Sequence, residues 1–386
     1  MSSKPTVVII GGSYAGIGVA KSLLKTLSSV KVILINPSEK FFFNIAAPRI
    51  LARPDAFDPD RYLLSIKDLF AKYTSGAFEF VQGHACALDL GAKAVSVRSD
   101  DATKPIHYDF LVIATGSTTA STIGKDSTKV PFKAMQTAAD IASIIRAAQE
   151  EVAGAKSILV VGGGPVGVEF AGELGEARMG LSDAQVILVT QSERLLPTLK
   201  PAASEKARVL LEKQGVKIHT GRQVVDIRQD QEAKKWTVTL DTGDKITADL
   251  SVSTTGVLPN NSFLPQGLLS ADGWVKVNSE FQVLGDSNQI IDSLYAVGDI
   301  TTHALRLASK VQEQVPLVAA NIKADTLGSD ARARYTPKGS VMMMVPIGSS
   351  GGTGQISTWV PWSCLVSLLK GRDYLISYAI SFLGGK

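Results

Sequence analysis

A strand, a glycine turn and a helix, written twice in one chain, constrain this sequence more than any other feature. Thr6-Val7-Val8-Ile9-Ile10 is a continuous β-branched run, as in a parallel strand buried on both faces. Gly11-Gly12-Ser13-Tyr14-Ala15-Gly16 follows, helical spacing runs from Ile17 to Leu27, and residues 30–35 read as a second strand. The same grammar returns at Ser157-Ile158-Leu159-Val160-Val161, then Gly162-Gly163-Gly164-Pro165-Val166-Gly167, a helix from Val168 to Arg178 and a strand over 186–189. This is no short-period solenoid but a βαβ unit used twice.

Glycines after such a strand permit a tight turn and let the backbone approach a pyrophosphate. The helix that follows offers free N–H groups and partial positive charge. In the first run Gly11, Ser13 and Gly16 hold the three positions of the GxGxxG pattern, so serine replaces the middle glycine and Gly12 stands beside it. The ribose-binding acid expected at the end of the second strand is Asn36. It can bond a ribose hydroxyl, or it can cap the turn before Pro37. In the second run Gly162, Gly164 and Gly167 match the pattern, with Glu169 on the first helical turn. Thr190 and Gln191 end the next strand, where an acid would select NADH. Its absence, with Arg194 nearby, tolerates NADPH; a plain surface arginine is the other reading, and NADH or NADPH stays open.

Other strands end at Ala114-Thr115-Gly116, at Thr254-Thr255-Gly256 and at Gly298-Asp299. An aspartate there can accept from a ribityl hydroxyl of a flavin, or simply cap the next helix. Residues 78–97 read as a hairpin region and 341–345 as a Met-rich strand, more a core strand than a pocket wall. Two short helices, 363–370 and 374–383, are expected to break at Gly371. The second is apolar except for Ser377 and Ser381. It is too short to span a bilayer. It reads either as an interfacial helix in peripheral contact with a membrane or as a helix packed on the first nucleotide unit or across a homodimer.

Several classes are excluded. With 45% hydrophobic and 20% charged residues the chain can bury sizeable cores. The net charge of +4 comes with no Lys/Arg stripe, so nucleic acid is not expected as a main partner. Cys86 and Cys364 form no CxxC pair and are expected to be buried or inert, which removes the dithiol relay of many two-nucleotide flavoenzymes. His84, His107, His219 and His303 show no ligand spacing, so no metal is expected. No leader, myristoylation glycine or spanning helix is read, so a cytoplasmic protein, or one peripheral on a membrane, is expected.

In order and content these motifs resemble the two-dinucleotide-binding flavoprotein superfamily over about the whole chain. Within it the chain is most similar to the apoptosis-inducing-factor-like, or ferroptosis suppressor protein, family of FAD-dependent NAD(P)H quinone oxidoreductases. Four regions carry that likeness: Phe43–Arg49, Gly163–Glu169, Leu317–Ile322, and the C-terminal Gly354–Ser357 with Lys370–Asp373. The resemblance implies an α/β fold of two Rossmann-like, glutathione-reductase-like domains, the second inserted in the first, plus a small C-terminal α+β region. The expected domains are residues 1–118 and 257–335 for FAD, 119–256 for NAD(P)H, and 336–386 for an acceptor pocket or a membrane or dimer contact.

It further implies that Gly11, Gly12, Ser13, Tyr14 and Ala15 form the FAD phosphate loop and that Arg49 reaches the FAD. Ala85 would offer backbone to the adenine, and Thr115, Gly116 and Gly298 would border the cofactor beside Asp299. Glu169 would lie near the nicotinamide side of the flavin. Arg306, with Lys310 as its rival, would stand by the flavin ring. The implied activity passes hydride from NAD(P)H through FAD to a quinone-like acceptor. A reductase of a small redox protein, a specialised-metabolite oxidoreductase and a redox-sensing interaction protein of the apoptosis-inducing-factor type are the alternatives.

Overall fold

The computed structural model describes residues 4–99, 102–135, 140–303, 305–337 and 341–384. Chain order in the first unit is β1 (Thr6–Ile10), α1 (Tyr14–Thr26), β2 (Lys31–Asn36), α2 (Ala47–Ala52), β3 (Phe78–Gln82) and β4 (Phe110–Ile113). Next come β5 (Ser157–Val161), α3 (Pro165–Ala177), β6 (Gln185–Val189), β7 (Lys217–His219) and β8 (Leu250–Ser253). The chain then returns through β9 (Gln282–Leu284), β10 (Ile290–Ala296) and α4 (Ala308–Thr326), and closes on a hairpin of β11 (Met342–Pro346) and β12 (Gly352–Ile356).

Two sheets carry the organisation. The first runs β9-β10-β4-β1-β2-β3, parallel except for β9. The second runs β7-β6-β5-β8, all parallel. Every strand of the second sheet lies in sequence between β4 and β10 of the first, so one nucleotide-type unit is inserted in the other. Val7, Val8 and Ile9 are fully buried, as their unbroken β-branched run requires of a strand covered on both faces. Val8 pairs with Ile33 on one side and Leu111 on the other, which brings the ends of β1, β2 and β4 to one edge.

Helix α1 begins at Tyr14 rather than Ile17, because the turn from β1 needs only Gly11, Gly12 and Ser13. Helix α3 likewise begins at Pro165, whose fixed φ and missing N–H suit a first helical position. The expected hairpin over 78–97 divides. Residues 78–82 join the main sheet as an edge strand, and the hairpin is His84–Asp89 against Ala94–Ser99.

The C-terminal segment is not two regular helices. Ser363–Val366 is helical, Ser367–Gly371 is a π turn, and Tyr374 and Leu375 have left-handed φ of 52° and 62° before the short turns Ile376–Tyr378 and Ala379–Phe382. Tyr374, Ile376, Ala379 and Leu383 are buried in the core cluster that also holds Phe41 and Phe43, so one face of the tail packs on its own chain. Tyr378 and Ile380 stay exposed. Cys86 and Cys364 are free and both exposed, so of the expected alternatives, buried or inert, burial does not hold. Among the described residues no helix is long and apolar enough to cross a membrane.

Candidate functional site

A cavity of about 1180 Å³ opens where the two sheets present their strand ends to each other. The β1–α1 turn, the ends of β4 and β10, the start of α3 and the C-terminal segment all line it.

The two glycine turns are built alike. Gly11 has φ +115°, and a Cβ there would lie 2.3 Å from the Ala114 carbonyl oxygen; one on Gly16 would lie 1.8 Å from the Gly11 oxygen. Gly162 (φ +121°) and Gly167 repeat the arrangement, with a Gly167 Cβ 2.0 Å from the Gly162 oxygen. Gly16, Gly162 and Gly167 thus permit the close turn from behind. Gly11, Gly12, Ser13, Tyr14, Ala15 and Gly164 face the cavity. Both helices start on a residue without a side-chain cap bond, and neither has an acid in its first turn. Uncapped N–H groups and a positive helix end facing a cavity fit a phosphate-bearing group.

At one end stand Asn36, His84 and Ala85. Asn36 Oδ1 accepts from the Gly12 N–H at 2.8 Å and its Nδ2 donates to the Ser38 carbonyl at 2.7 Å, so its amide braces the glycine loop. Thr115 and Gly116 also line the cavity, and Thr115 is cross-bonded to Asn260 through two 2.8 Å bonds. Gly298 turns with φ +82° beside Ala15. Asp299 Oδ2 accepts from Lys133 Nζ at 2.7 Å and Ser117 Oγ at 2.9 Å, while its carbonyl accepts from Arg306 Nε at 3.2 Å. Burial pushes this carboxyl up, but the Lys133 ammonium with help from Ser117 and Arg306 outweighs it and holds the group below the ordinary range.

Glu169 on α3 also lines the cavity; it is buried and accepts from Lys370 Nζ at 2.6 Å. Burial raises its carboxyl above the usual range, and Lys370 opposes that only in part. Met342, Met343, Met344, Leu369, Leu375 and Phe382 complete this apolar wall. The Met-rich strand is therefore pocket wall as well as sheet, contrary to the core-strand reading.

Three expected contacts are redirected. Arg49 does not line the cavity; its guanidinium is buried against Glu173 and the carbonyls of Gly371 and Arg372. Arg194 does not line it either, because it donates to the carbonyls of Pro197 and Leu199 and to Ser204 Oγ. Lys310 is buried on Glu313, whereas Arg306 lines the cavity with its Cζ 3.6 Å from the Trp274 ring centroid. Sequence reasoning does not find Lys133 and Lys370 as site residues. Nothing local to Lys133 marks it; Lys370 stands in one of the C-terminal segments that carry the family likeness.

Two sheets, one all parallel and one parallel but for an edge strand, each opening through a glycine turn and a helix onto one cavity, define a class: flavoproteins with two dinucleotide-binding units. The chain belongs to the pyridine nucleotide-disulphide oxidoreductase family, whose model matches residues 5–316. It is an enzyme of that family, a FAD-dependent NAD(P)H oxidoreductase. It is 32% identical to oxidoreductase phnG of Penicillium herquei, covering 100% of this chain and 97% of that one. It is 29% identical to ferroptosis suppressor protein 1 of Taeniopygia guttata, covering 98% and 95%. The sulfide:quinone oxidoreductase of Aquifex aeolicus shares the fold, with a TM-score of 0.77 at 20% identity over 98% of this chain and 92% of that one.

Proposed function

We propose that this enzyme oxidises NAD(P)H and reduces a quinone-like molecule at the apolar end of its cavity. The observation that carries the reading is the buried Glu169–Lys370 pair set into a wall of methionine, leucine and phenylalanine, in a cavity continuous with both glycine turns. The fold shared with a sulfide:quinone oxidoreductase supports the same acceptor class.

The residues fit the two dinucleotides. Gly11, Gly12, Ser13, Tyr14 and Ala15 would hold the FAD pyrophosphate through backbone N–H groups, Asp299 would accept from a ribityl hydroxyl, and Ala85 would border the adenine. Thr115, Gly116 and Gly298 complete that side. Gly162, Gly164 and Gly167 would turn the chain beneath the pyrophosphate of NAD(P)H. When bound, FAD supplies the two-electron chemistry between nicotinamide and acceptor. The chain's own residues bind, orient and move protons. Arg306 would keep a cation near the flavin, and Lys133 neutralises the Asp299 carboxylate.

The overall reaction is NAD(P)H + H⁺ + quinone → NAD(P)⁺ + quinol. One proton per turnover must therefore come from solvent or protein. Lys370 Nζ donates to Glu169 Oε1 at 2.6 Å beside the acceptor wall, so a proton held on Glu169 could pass to a quinone oxygen and be replaced from solvent. The wall would accept a flat apolar ring.

Steady-state NADH and NADPH oxidation with a short-chain ubiquinone, a naphthoquinone and a small redox protein tests this. Quinol formation with saturation by the quinones supports the reading. Saturation only with the redox protein refutes it.

A further inference from the structure

Arg49 stands on α2, outside the cavity, yet it is 4% exposed and makes four hydrogen bonds. Nε and Nη2 meet Oε2 and Oε1 of Glu173 at 2.9 and 2.7 Å. Nη1 donates to the carbonyl of Gly371 at 2.6 Å and to that of Arg372 at 3.1 Å. Glu173 is fully buried and also accepts from Tyr374 Oη at 3.2 Å. The guanidinium carbon lies 4.7 Å from the Tyr374 ring centroid. One side chain therefore fixes the backbone at 371 and 372 and the ring at 374.

The segment it fixes is unusual. Immediately before it, Ser367–Gly371 forms a π turn, a conformation concentrated at functional sites. Lys370 lies on that turn, and its Nζ reaches Glu169 at 2.6 Å and the Met344 carbonyl at 3.1 Å. Immediately after it, Tyr374 and Leu375 hold left-handed φ, which non-glycine residues keep only where their surroundings over-determine it. Helix α3 supplies both carboxylates one turn apart: Glu169 takes Lys370, and Glu173 takes the residue that ties down the turn bearing Lys370.

We infer that Arg49 is a positioning residue for reduction of the acceptor: by fastening the Gly371 and Arg372 carbonyls to Glu173, it sets the turn that presents Lys370 to Glu169. This rests on the proposed role of the Glu169–Lys370 pair. A planar fork is required, because it must meet a carboxylate with two nitrogens while a third spans two carbonyls; a lysine keeps the charge and loses that geometry.

The test uses holoenzyme carrying Arg49→Lys, the neutral pair Arg49→Gln/Glu173→Gln, or Lys370→Met. Each is followed by anaerobic flavin reduction with NADH and by reoxidation with a short-chain ubiquinone across pH. Trypsin cleavage after Lys370 and Arg372 is read by mass spectrometry. The inference expects Arg49→Lys to be reduced within about twofold of the unmodified enzyme, and reoxidised about tenfold more slowly with a displaced pH limb. It expects the neutral pair to show the same split and both Arg49 variants to be cut several-fold faster, on the order of local opening of that turn. The inference is overturned alone if Lys370→Met slows reoxidation while Arg49→Lys leaves its rate and pH limb unchanged. Equal slowing of both half-reactions in both Arg49 variants overturns it as well, since that marks a structural role only. If Lys370→Met leaves reoxidation unchanged, the role of the pair fails and the inference with it.

Discussion

Asp299 is the residue on which the proposed flavin side of the site turns. Its carboxylate accepts from Lys133 and Ser117 and its main-chain carbonyl from Arg306, and Asp299→Ala removes the side-chain acceptor while leaving the Lys133 ammonium uncompensated. A charge-assisted hydrogen bond lost there should weaken flavin retention about tenfold. The flavin-to-protein absorbance ratio after dialysis checks this, and an unchanged ratio would refute the assignment. Glu169 sets a pH dependence. Its carboxyl is raised by burial, so it keeps its proton above the ordinary value of 4.5 and loses it as pH rises through the raised value. Its contribution to stability is fully present below 4.5 and is lost over the same window. Quinone reoxidation should therefore fall on that rising-pH limb, and Glu169→Gln should flatten the limb and slow reoxidation about 100-fold. A limb that persists in Glu169→Gln points to another acid. At this scale the glycines were legible because backbone geometry dictates them. Lys133 and Lys370 were not, since their partners stand 166 and 201 residues away in sequence.

Helix α3 joins the sheets, the cavity and the C-terminal segment. Phe170 on it is fully buried and meets Phe132 edge-on at 5.0 Å, while Glu169 and Glu173 hold the C-terminal turn. Phe170→Ala should cost about 3–5 kcal/mol, read as a lowered urea midpoint; a loss under about 1 kcal/mol would contradict this packing. The loop after β6 carries Arg194, which donates to the Pro197 and Leu199 carbonyls of that loop and to Ser204 Oγ on the helix Pro201–Lys213 that follows. Arg194→Ala should lower stability by about 1–3 kcal/mol and leave the NADH-to-NADPH ratio of kcat/KM within about twofold. A large shift in that ratio would return Arg194 to the nucleotide. The strands and helices of both βαβ units could be read from β-branched runs and glycine turns. The C-terminal segment could not. Its apolar spacing suggested a helix, but Tyr374 is drawn into the core against Arg49 and Glu173, and that long-range packing overrides local helical preference.

Over the whole molecule the inserted arrangement explains why both glycine turns open onto one cavity. The first sheet is completed only when the chain returns through β10, so the ends of β1, β4 and β10 and the start of α3 face a common space. The repeat announced two units in the sequence, and the turns ending at Gly116 and Gly256 stand where the chain is expected to pass from one unit to the other and back. What closes the cavity came from contacts that no local pattern encodes. The hairpin of β11 and β12 and the tail contribute its apolar wall, and with both cysteines free the proposed route out is direct transfer to an acceptor. The most direct test of that route is an anaerobic stopped-flow sequence: the flavin-loaded enzyme mixed with NADH or NADPH, then with a short-chain ubiquinone, following absorbance at about 450 nm, where oxidised flavin absorbs. Bleaching by a reduced nicotinamide and rapid recovery on adding quinone are the expected result. Bleaching without recovery would contradict the quinone acceptor.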